Sequence, residues 1–441
     1  MPIQSTHPEY QEHYDIVERT KEAYEGEVLD FIPRLKGMTQ QEYDDYRGRS
    51  SYYNVVERTL VALLGALTRK PHTIEGVYNE DPVVEGAGTM KELVQQCYAE
   101  LLLGGRIGLM CDFNDALGTP YILKYNSESI TNWGDDFVIL REYFYAQDPK
   151  DKYVTVKMCR YRELFLDDSG YYAVRVWNQE PNANGSYKVT NKTQFTPGET
   201  IEPTYRGRRL DFIPFIIVTP YDSSEDLCKP PLSTIADINI EHFKLSTDIA
   251  HGAHFVALPT AVIAGDIQGE GTQLAIGGKQ IWHLTQGSSA TYLEFTGTGL
   301  SFLLDLQKEK ETQMYNLGSR MLQFKAGVES SDALQIRLGA EGASLTAIAS
   351  SLEQGFTKVL EMYNMWNGAA EGAVTVELNK DFTPANMQPD QIRTLIEAYN
   401  QNVISLDTLL QRLYEGEVVD NVDEEKTKIS GTDPTTVTPT V

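Results

Sequence analysis

Between Pro231 and Phe324 the spacing of apolar residues changes character twice. From Pro231 to about Leu258, Leu232, Ile235, Ile238, Leu245, Ile249 and Val256 recur at helical intervals and predict an amphipathic helix. A short β excursion opens at Pro259-Thr-Ala-Val-Ile-Ala-Gly265 and is punctuated by glycine. A return helix then runs from about Ser301 to Phe324, with Leu303, Leu306, Met314, Leu317, Met321 and Phe324 as its stripe. Gln307–Gln313 interrupts that stripe and puts Lys310 where an apolar residue is expected. Two readings fit the interruption: a solvated turn with a snorkelling lysine, or a helix lining a wet channel. The excursion is too small to bury a core of its own, so the pattern predicts that a partner stabilises it.

Elsewhere the pattern predicts a mixed α+β body. A helix is expected over 40–70 through Tyr46, Tyr53, Val56, Leu60, Leu63, Leu64 and Leu67, closed by Arg69-Lys70-Pro71. A second helix spans roughly Met90–Leu103 and stops at Gly104-Gly105, before a buried strand at Ile107–Asp112. From 120 to 220 the period is mostly two, with strands expected at 121–125, 137–145, 153–158, 164–166, 171–177 and 210–218. Turn residues at 167–170 and 182–185 separate several of them. A long helix follows from about Ala333 to Trp366 through Leu345, Ile348, Leu352, Phe356, Val359 and Tyr363. Gly339 and Gly342 near its start predict a kink or break. Then come a strand at 374–378, a helix opened by Pro389 that runs to about Asn402, and another capped by Ser405 that ends before Gly416. After Asp420 the chain is acidic and then Thr/Pro-rich, which predicts disorder.

Composition narrows the class. A length of 441 residues allows about two to four domains, and 41% apolar residues suffices for real cores. No window approaches the roughly 18 apolar residues that a membrane span needs, and the N-terminal residues do not read as a secretory signal. Cys97, Cys111, Cys159 and Cys228 form no CxxC and are expected to be reduced thiols of a cytosolic product. The net charge is −25, from 38 basic and 63 acidic residues. That balance argues against a protein that grips nucleic acid, because counterion release needs a basic footprint. It is compatible with a surface that nucleic acid slides past, and equally with ordinary solubility charge.

No catalytic signature emerges. Gly277-Gly-Lys-Gln280 echoes the end of a phosphate-binding loop, but Gln273 and Gln280 stand where glycine and Ser/Thr are needed. His251 and His254 have no matching ligand pair, and no cofactor or metal is expected. Asp135-Asp136 and Asp167-Asp168 sit in turn contexts, which favours turn chemistry over a two-metal site. Arg206-Gly-Arg-Arg209, the densest basic patch, reads as a surface loop.

An ordered set of segments resembles the portal proteins, the head-to-tail connectors of tailed bacteriophages. Phe31-Ile-Pro-Arg-Leu-Lys-Gly37 followed by Tyr43–Lys70 is similar to an N-terminal helical segment of one branch. Leu102–Asp112 resembles its helix, Gly-Arg, strand, Asp element, and Ile130-Thr-Asn-Trp133 and Phe212-Ile-Pro-Phe215 are further matches. Pro230-Pro-Leu-Ser233 resembles the start of the first stem helix, Tyr292–Gly299 the β end of the clip, and Leu317–Leu322 the end of the second stem helix. Val403–Leu409 resembles the crown helices; the match covers roughly residues 25–415.

The resemblance implies an α+β portal architecture with an α/β wing, a two-helix stem, a small β-containing clip and a short helical crown. Mapped here, the N-terminal part of the wing is 1–230, the stem helices 231–258 and 301–324, and the clip 259–300. A tunnel loop, long wing helix and wing strand would occupy 325–383, the crown 384–418, and a disordered tail 419–441. The family implies a homo-oligomeric ring, usually of twelve subunits, at one capsid vertex in the virion, assembled in the host cytoplasm. Its channel passes double-stranded DNA during packaging and ejection. Its partners are the major capsid protein, the terminase large subunit and a tail adaptor protein, with no membrane and no enzymatic activity. Lys308, Lys310, Arg320 and Lys325 are the residues such a channel would turn toward phosphates. Twelve copies of this chain would carry about −300, a slippery wall with a few basic points. Two alternatives remain: a DNA-processing enzyme whose metal site is built from turn carboxylates, and another ring-forming virion adaptor.

Overall fold

The computed structural model describes residues 2–78, 82, 84, 88–114, 118–148, 151–181, 187, 189–190, 193–221, 227–257, 260–264, 286–293, 298–319, 331–368, 374–382, 389–416, 418–419 and 421–431. The chain divides into two units, Met1–Leu378 and Asn379–Val441.

The first unit opens with three helices, α1 (Tyr10–Glu25), α2 (Gln40–Gly48) and α3 (Val55–Leu67). The buried stripe of α1 is Tyr10, His13, Val17, Thr20 and Ala23. Its polar members are satisfied inside: Tyr10 donates to the Glu128 carbonyl at 2.7 Å, and His13 Nε2 lies 2.7 Å from Ser127 Oγ. The single helix expected over 40–70 is two helices. Gly48 ends α2, and the Asn54 side chain accepts from Glu57 N–H at 2.9 Å to cap α3. Tyr53, assigned above to the apolar stripe, is exposed in the link between them.

β1 (Thr73–Glu75) precedes α4 (Met90–Gly104), which begins in a Thr89/Glu92 capping box and ends at Gly105 in the left-handed region, φ 72°. β2 (Ile107–Asn114) and β3 (Thr119–Asn126) follow. Between α4 and β2, Arg106 is fully buried. Its Nη2 donates to the Ile130 carbonyl at 2.8 Å and its guanidinium stacks 4.1 Å from the Trp133 ring. Burial pushes this guanidinium down to about 9.

β4 (Ile130–Trp133), β5 (Phe137–Asp148), β6 (Asp151–Leu166), β7 (Tyr172–Gln179) and β8 (Phe195–Ile201) form an antiparallel sheet in chain order. The separate strands expected at 153–158 and 164–166 are one strand, β6. β9 (Thr204–Tyr205) and β10 (Arg208–Arg209) are a small hairpin. Its turn puts Arg206 at φ 50° and Gly207 at φ 76°, the two positive values that a tight two-residue hairpin turn requires. β11 (Phe215–Val218) pairs with β2 to give a second sheet, in the order β11, β2, β3. The strand expected over 210–218 starts only after Pro214, which has no N–H for the ladder.

α5 (Ser233–Ala257), β12 (Thr260–Ala264), β13 (Ser289–Leu293) and α6 (Thr298–Ser319) form the excursion, and α7 (Ser331–Trp366) returns to the body. α7 lies on the three-stranded sheet. A Cβ on Gly355 would sit 2.4 Å from Val218 Cγ2, so glycine lets the helix approach this closely. Around it Leu109, Leu352, Phe356, Val359 and Leu360 are fully buried. No break occurs at Gly339 or Gly342; α7 is helical throughout. β14 (Thr375–Glu377) closes the unit by pairing antiparallel with β1.

The second unit holds α8 (Pro389–Asn400), α9 (Leu406–Glu415) and α10 (Val422–Gly431). Ser405 caps α9 as its sequence predicts, accepting from Thr408 N–H at 3.1 Å. Part of the tail expected to be disordered is α10. The Asn421 side chain accepts from the N–H groups of Asp423 and Glu424, its first turn is acidic, and Lys426 pairs with Asp407 at 3.1 Å.

Candidate functional site

The helix pair α5 and α6 is the part of the chain whose design calls for a functional reading. The body anchors α5 where its chain leaves. Leu232 N–H donates to the Leu102 carbonyl at 3.2 Å, and Ser233 Oγ donates to the Pro230 carbonyl at 2.7 Å. A Cβ on Gly105 would lie 2.1 Å from the Cys228 carbonyl oxygen. Gly105 therefore serves two purposes: it ends α4 and leaves room for the segment that leads into α5.

The first half of α5 is buried more completely than its apolar stripe predicts. Leu232, Ile235, Ala236, Ile240 and Phe243 are core residues, and so are Asn239, His242 and Thr247. Asn239 makes three hydrogen bonds: its Oδ1 accepts from Val55 N–H at 3.0 Å and from the Tyr52 hydroxyl at 2.9 Å, while its Nδ2 donates to the Tyr53 carbonyl at 3.0 Å. It thus helps to fix the entry to α3. Arg19 of α1 pairs with Asp237 at 2.7 Å. Farther out α5 is only partly covered: Leu245 and Ile249 of the expected stripe are half-buried there, as Ile238 is within the first half. There α2 braces it. Tyr46 donates to the Asp248 carboxylate and meets the His251 ring edge-on at 4.9 Å. Burial, and then Asp248, raises the Tyr46 hydroxyl well above its usual range.

α5 and α6 run antiparallel. At the outer end a Cβ on Gly252 would lie 2.6 Å from Leu300 Cδ2. At the inner end Gly318 passes so near α3 that its Cβ would be 3.2 Å from Thr59 Oγ1. Between these glycines two polar contacts cross the seam: Lys310 Nζ pairs with Glu241, and His242 Nε2 lies 3.4 Å from Glu311 Oε1. Leu303, Leu306, Gln313 and Met314 occupy the same side of α6, whereas Leu317 of the expected stripe is exposed. The polar interruption at Gln307–Gln313 is in this respect a clasp between helices. Beyond them β12 and β13 pair antiparallel from Thr260↔Leu293 to Ala264↔Ser289 and carry the pair into a two-stranded ribbon.

The residues singled out from the sequence fall in different places. Lys310 is 26% exposed and held by Glu241; Lys308 is 74% exposed and 3.9 Å from Asp305 on its own helix. Arg320, Lys325 and the Gly277–Gln280 stretch lie outside the described residues. Asp167 is a turn residue: its Oδ1 accepts from Ser169 and Tyr171 N–H, and its Oδ2 pairs with Arg209 at 2.7 Å. Arg206 donates to the Gly368 carbonyl at 2.9 Å. Among the described residues no three His, Cys, Asp or Glu side chains gather as a metal-holding group, and no helix is long and apolar enough to cross a membrane. Sequence reasoning missed Asn239, Glu241, Gly252 and Gly318. The signal for the glycines was their place inside helical segments, where only close packing justifies the cost.

Residues 231–367 match the family described as "Domain of unknown function (DUF4055)". No curated protein matches the chain. Among solved structures, the chain is similar to one from the neck of an empty GTA particle, with 11% identity and a TM-score of 0.41, covering 87% of this chain and 91% of that one. It is similar to another from the virion of a native gene transfer agent particle, with 13% identity and a TM-score of 0.40, covering 91% and 96%. A third is an HK97 family phage portal protein from Corynebacterium diphtheriae, with 12% identity and a TM-score of 0.33, covering 74% and 92%.

Proposed function

We propose that this chain is a portal subunit, one copy of a ring through which double-stranded DNA enters and leaves a phage capsid. The observation that carries the reading is the antiparallel pair α5 and α6, clasped across its seam and ending in a two-stranded ribbon. An isolated two-stranded ribbon is marginal in water, so this one calls for neighbours. α6 also exposes large apolar residues, with Phe302 63% exposed and Leu304, Tyr315 and Leu317 exposed as well. A ring is built from heterologous contacts, which use two different surfaces of each subunit, and apolar residues left exposed on α6 suit one of them. The order of segments along the chain gives independent support.

On this reading α5 and α6 are the stem, β12 and β13 the base of the clip, and the body the wing. The ring would dock the terminase motor and the tail adaptor at its ends and the major capsid protein at its rim. Lys308 is the described basic residue that would face DNA, while Lys310 serves the seam. The acidic chain supplies a wall that repels phosphate. The test is negative-stain imaging of the purified chain together with native mass measurement. A ring with a central hole is expected. A compact monomer with divalent-dependent nuclease activity sinks the reading and favours the processing enzyme.

A further inference from the structure

Among the described residues, Arg106 is the largest side chain buried completely, and no carboxylate answers its charge. It stands in the link between α4 and β2. Its guanidinium lies 4.1 Å from the Trp133 ring, and the His7 ring stacks on the same indole at 4.1 Å. Nη2 reaches the Ile130 carbonyl at 2.8 Å. Nε and Nη1 are buried and find no acceptor among the described residues. An indole face attracts a cation but is a weak acceptor of N–H, so Trp133 does not take their place.

The surrounding charges leave Arg106 unmatched. Around the buried stripe of α1 stand three cations, Lys21, Arg106 and Arg141, and two carboxylates, Glu100 and Glu128. Lys21 holds both carboxylates, Glu100 at 2.8 Å and Glu128 at 2.7 Å. Arg141 donates to the Tyr10 hydroxyl at 3.1 Å and to the Glu128 carbonyl at 3.2 Å, and its Nε is also buried without an acceptor among the described residues. The Tyr10 hydroxyl, whose negative form would offset Arg106, keeps its proton because burial raises it well above its usual range. An unpaired buried cation is costly, and buried N–H groups are nearly always matched. A water would accept from the two orphaned donors and leave the charge; an anion answers both. The excess is one positive charge, which calls for a monovalent ion, and burial favours one that gives up its hydration readily, a halide. We infer that Arg106 is the centre of a buried site for one small monovalent anion of the chloride class, with its Nε and Nη1 N–H groups as donors. The site lies within one subunit, where the end of α4 meets β4 and the start of α1, and it stands whether or not the chain forms a ring.

Two measurements on the full chain test the site. In the first, urea unfolding is followed at constant ionic strength while sodium chloride replaces sodium isethionate. An ion bound only by the folded chain makes the folding equilibrium constant rise with chloride, by up to about tenfold for each tenfold of chloride. Arg106→Met keeps an aliphatic stem without charge or donors, and its folding constant is expected not to respond. In the second, crystals of the wild-type chain are soaked in sodium bromide. Anomalous scattering is expected to place a bromide within hydrogen-bond distance of the Arg106 guanidinium, a result that stands even if Arg106→Met does not fold. An ordered water in that position, bromide confined to the surface, or a wild-type folding constant indifferent to chloride overturns the site. A chloride response that persists in Arg106→Met overturns it as well.

Discussion

The sheet under α7 and the seam between α5 and α6 are both interiors of the same unit, yet they are filled differently. β2 is buried without interruption from Ile107 to Cys111, and Leu352, Phe356 and Val359 cover it with apolar surface. α5 instead buries Asn239 against the link into α3, pairs His242 with Glu311 of α6, and half-buries Lys310. The first interior is held by area and shape. The second is held by directed hydrogen bonds and a charge pair, which fix register and angle better than they add stability. A body needs the former. A pair of helices that must keep its pitch while partly exposed gains from the latter.

The comparison breaks most severely in the body. Phe356→Ala opens a cavity against a sheet that cannot collapse around it and is expected to cost about 3–5 kcal/mol in urea unfolding of the chain. A loss below about 1 kcal/mol would mean that α7 does not carry the core. The next effect comes from pH. His13 is buried beside Ser127, and burial together with the Arg106 charge pushes its imidazole down to about 4 from 6.5. Between those values the unfolded chain binds a proton that the folded chain refuses, so stability falls as pH drops from about 6.5 to about 4. The full loss is about 3 kcal/mol. His13→Gln should flatten this limb, and a variant whose acid limb matches the wild type would place the loss elsewhere.

The same contrast explains what could be read in advance. α4, β2 and α9 were legible because their caps and apolar runs agree: Thr89 with Glu92, Gly105, and Ser405. α1 was not, because His13 and Thr20 take interior positions that an apolar count scores as surface. The link between α2 and α3 was read as helix because Tyr53 falls in phase with the stripe. Asn54 with Glu57 was the stronger signal, since a cap states where a helix starts. α10 formed where composition predicted none, because its charges sit where a helix dipole favours them. In the candidate site the helices and the break at Gln307–Gln313 were legible. The partner of Lys310 was not, because Glu241 is 69 residues away and periodicity within one helix cannot name it.

On α5, where it meets the link into α3, Asn239 carries the larger effect. Asn239→Ala strips the Val55 N–H and the Tyr53 carbonyl of buried partners and is expected to cost about 2 kcal/mol. Asn239→Asp keeps the acceptor and loses the donor, so it should fall between the two. If alanine and aspartate behave alike, the contact to Val55 contributes little and the joint between α5 and α3 is held by packing.

The smallest effect decides what the lysines do. Lys310→Met keeps the aliphatic stem against α5 and removes only a half-exposed ion pair, which is worth less than about 1 kcal/mol. Lys308→Ala touches a fully solvated pair within one helix and should leave unfolding unchanged. Their functional consequences separate in the opposite order. If the ring conducts DNA past α6, removing Lys308 changes packaging rate or its salt dependence, because a phosphate-facing cation acts through counterion release. Removing Lys310 shifts the inclination of the helix pair and leaves that salt dependence alone. A packaging assay across salt concentrations in which Lys310→Met, and not Lys308→Ala, alters the slope would reverse the two assignments and return Gln307–Gln313 to the role of channel lining.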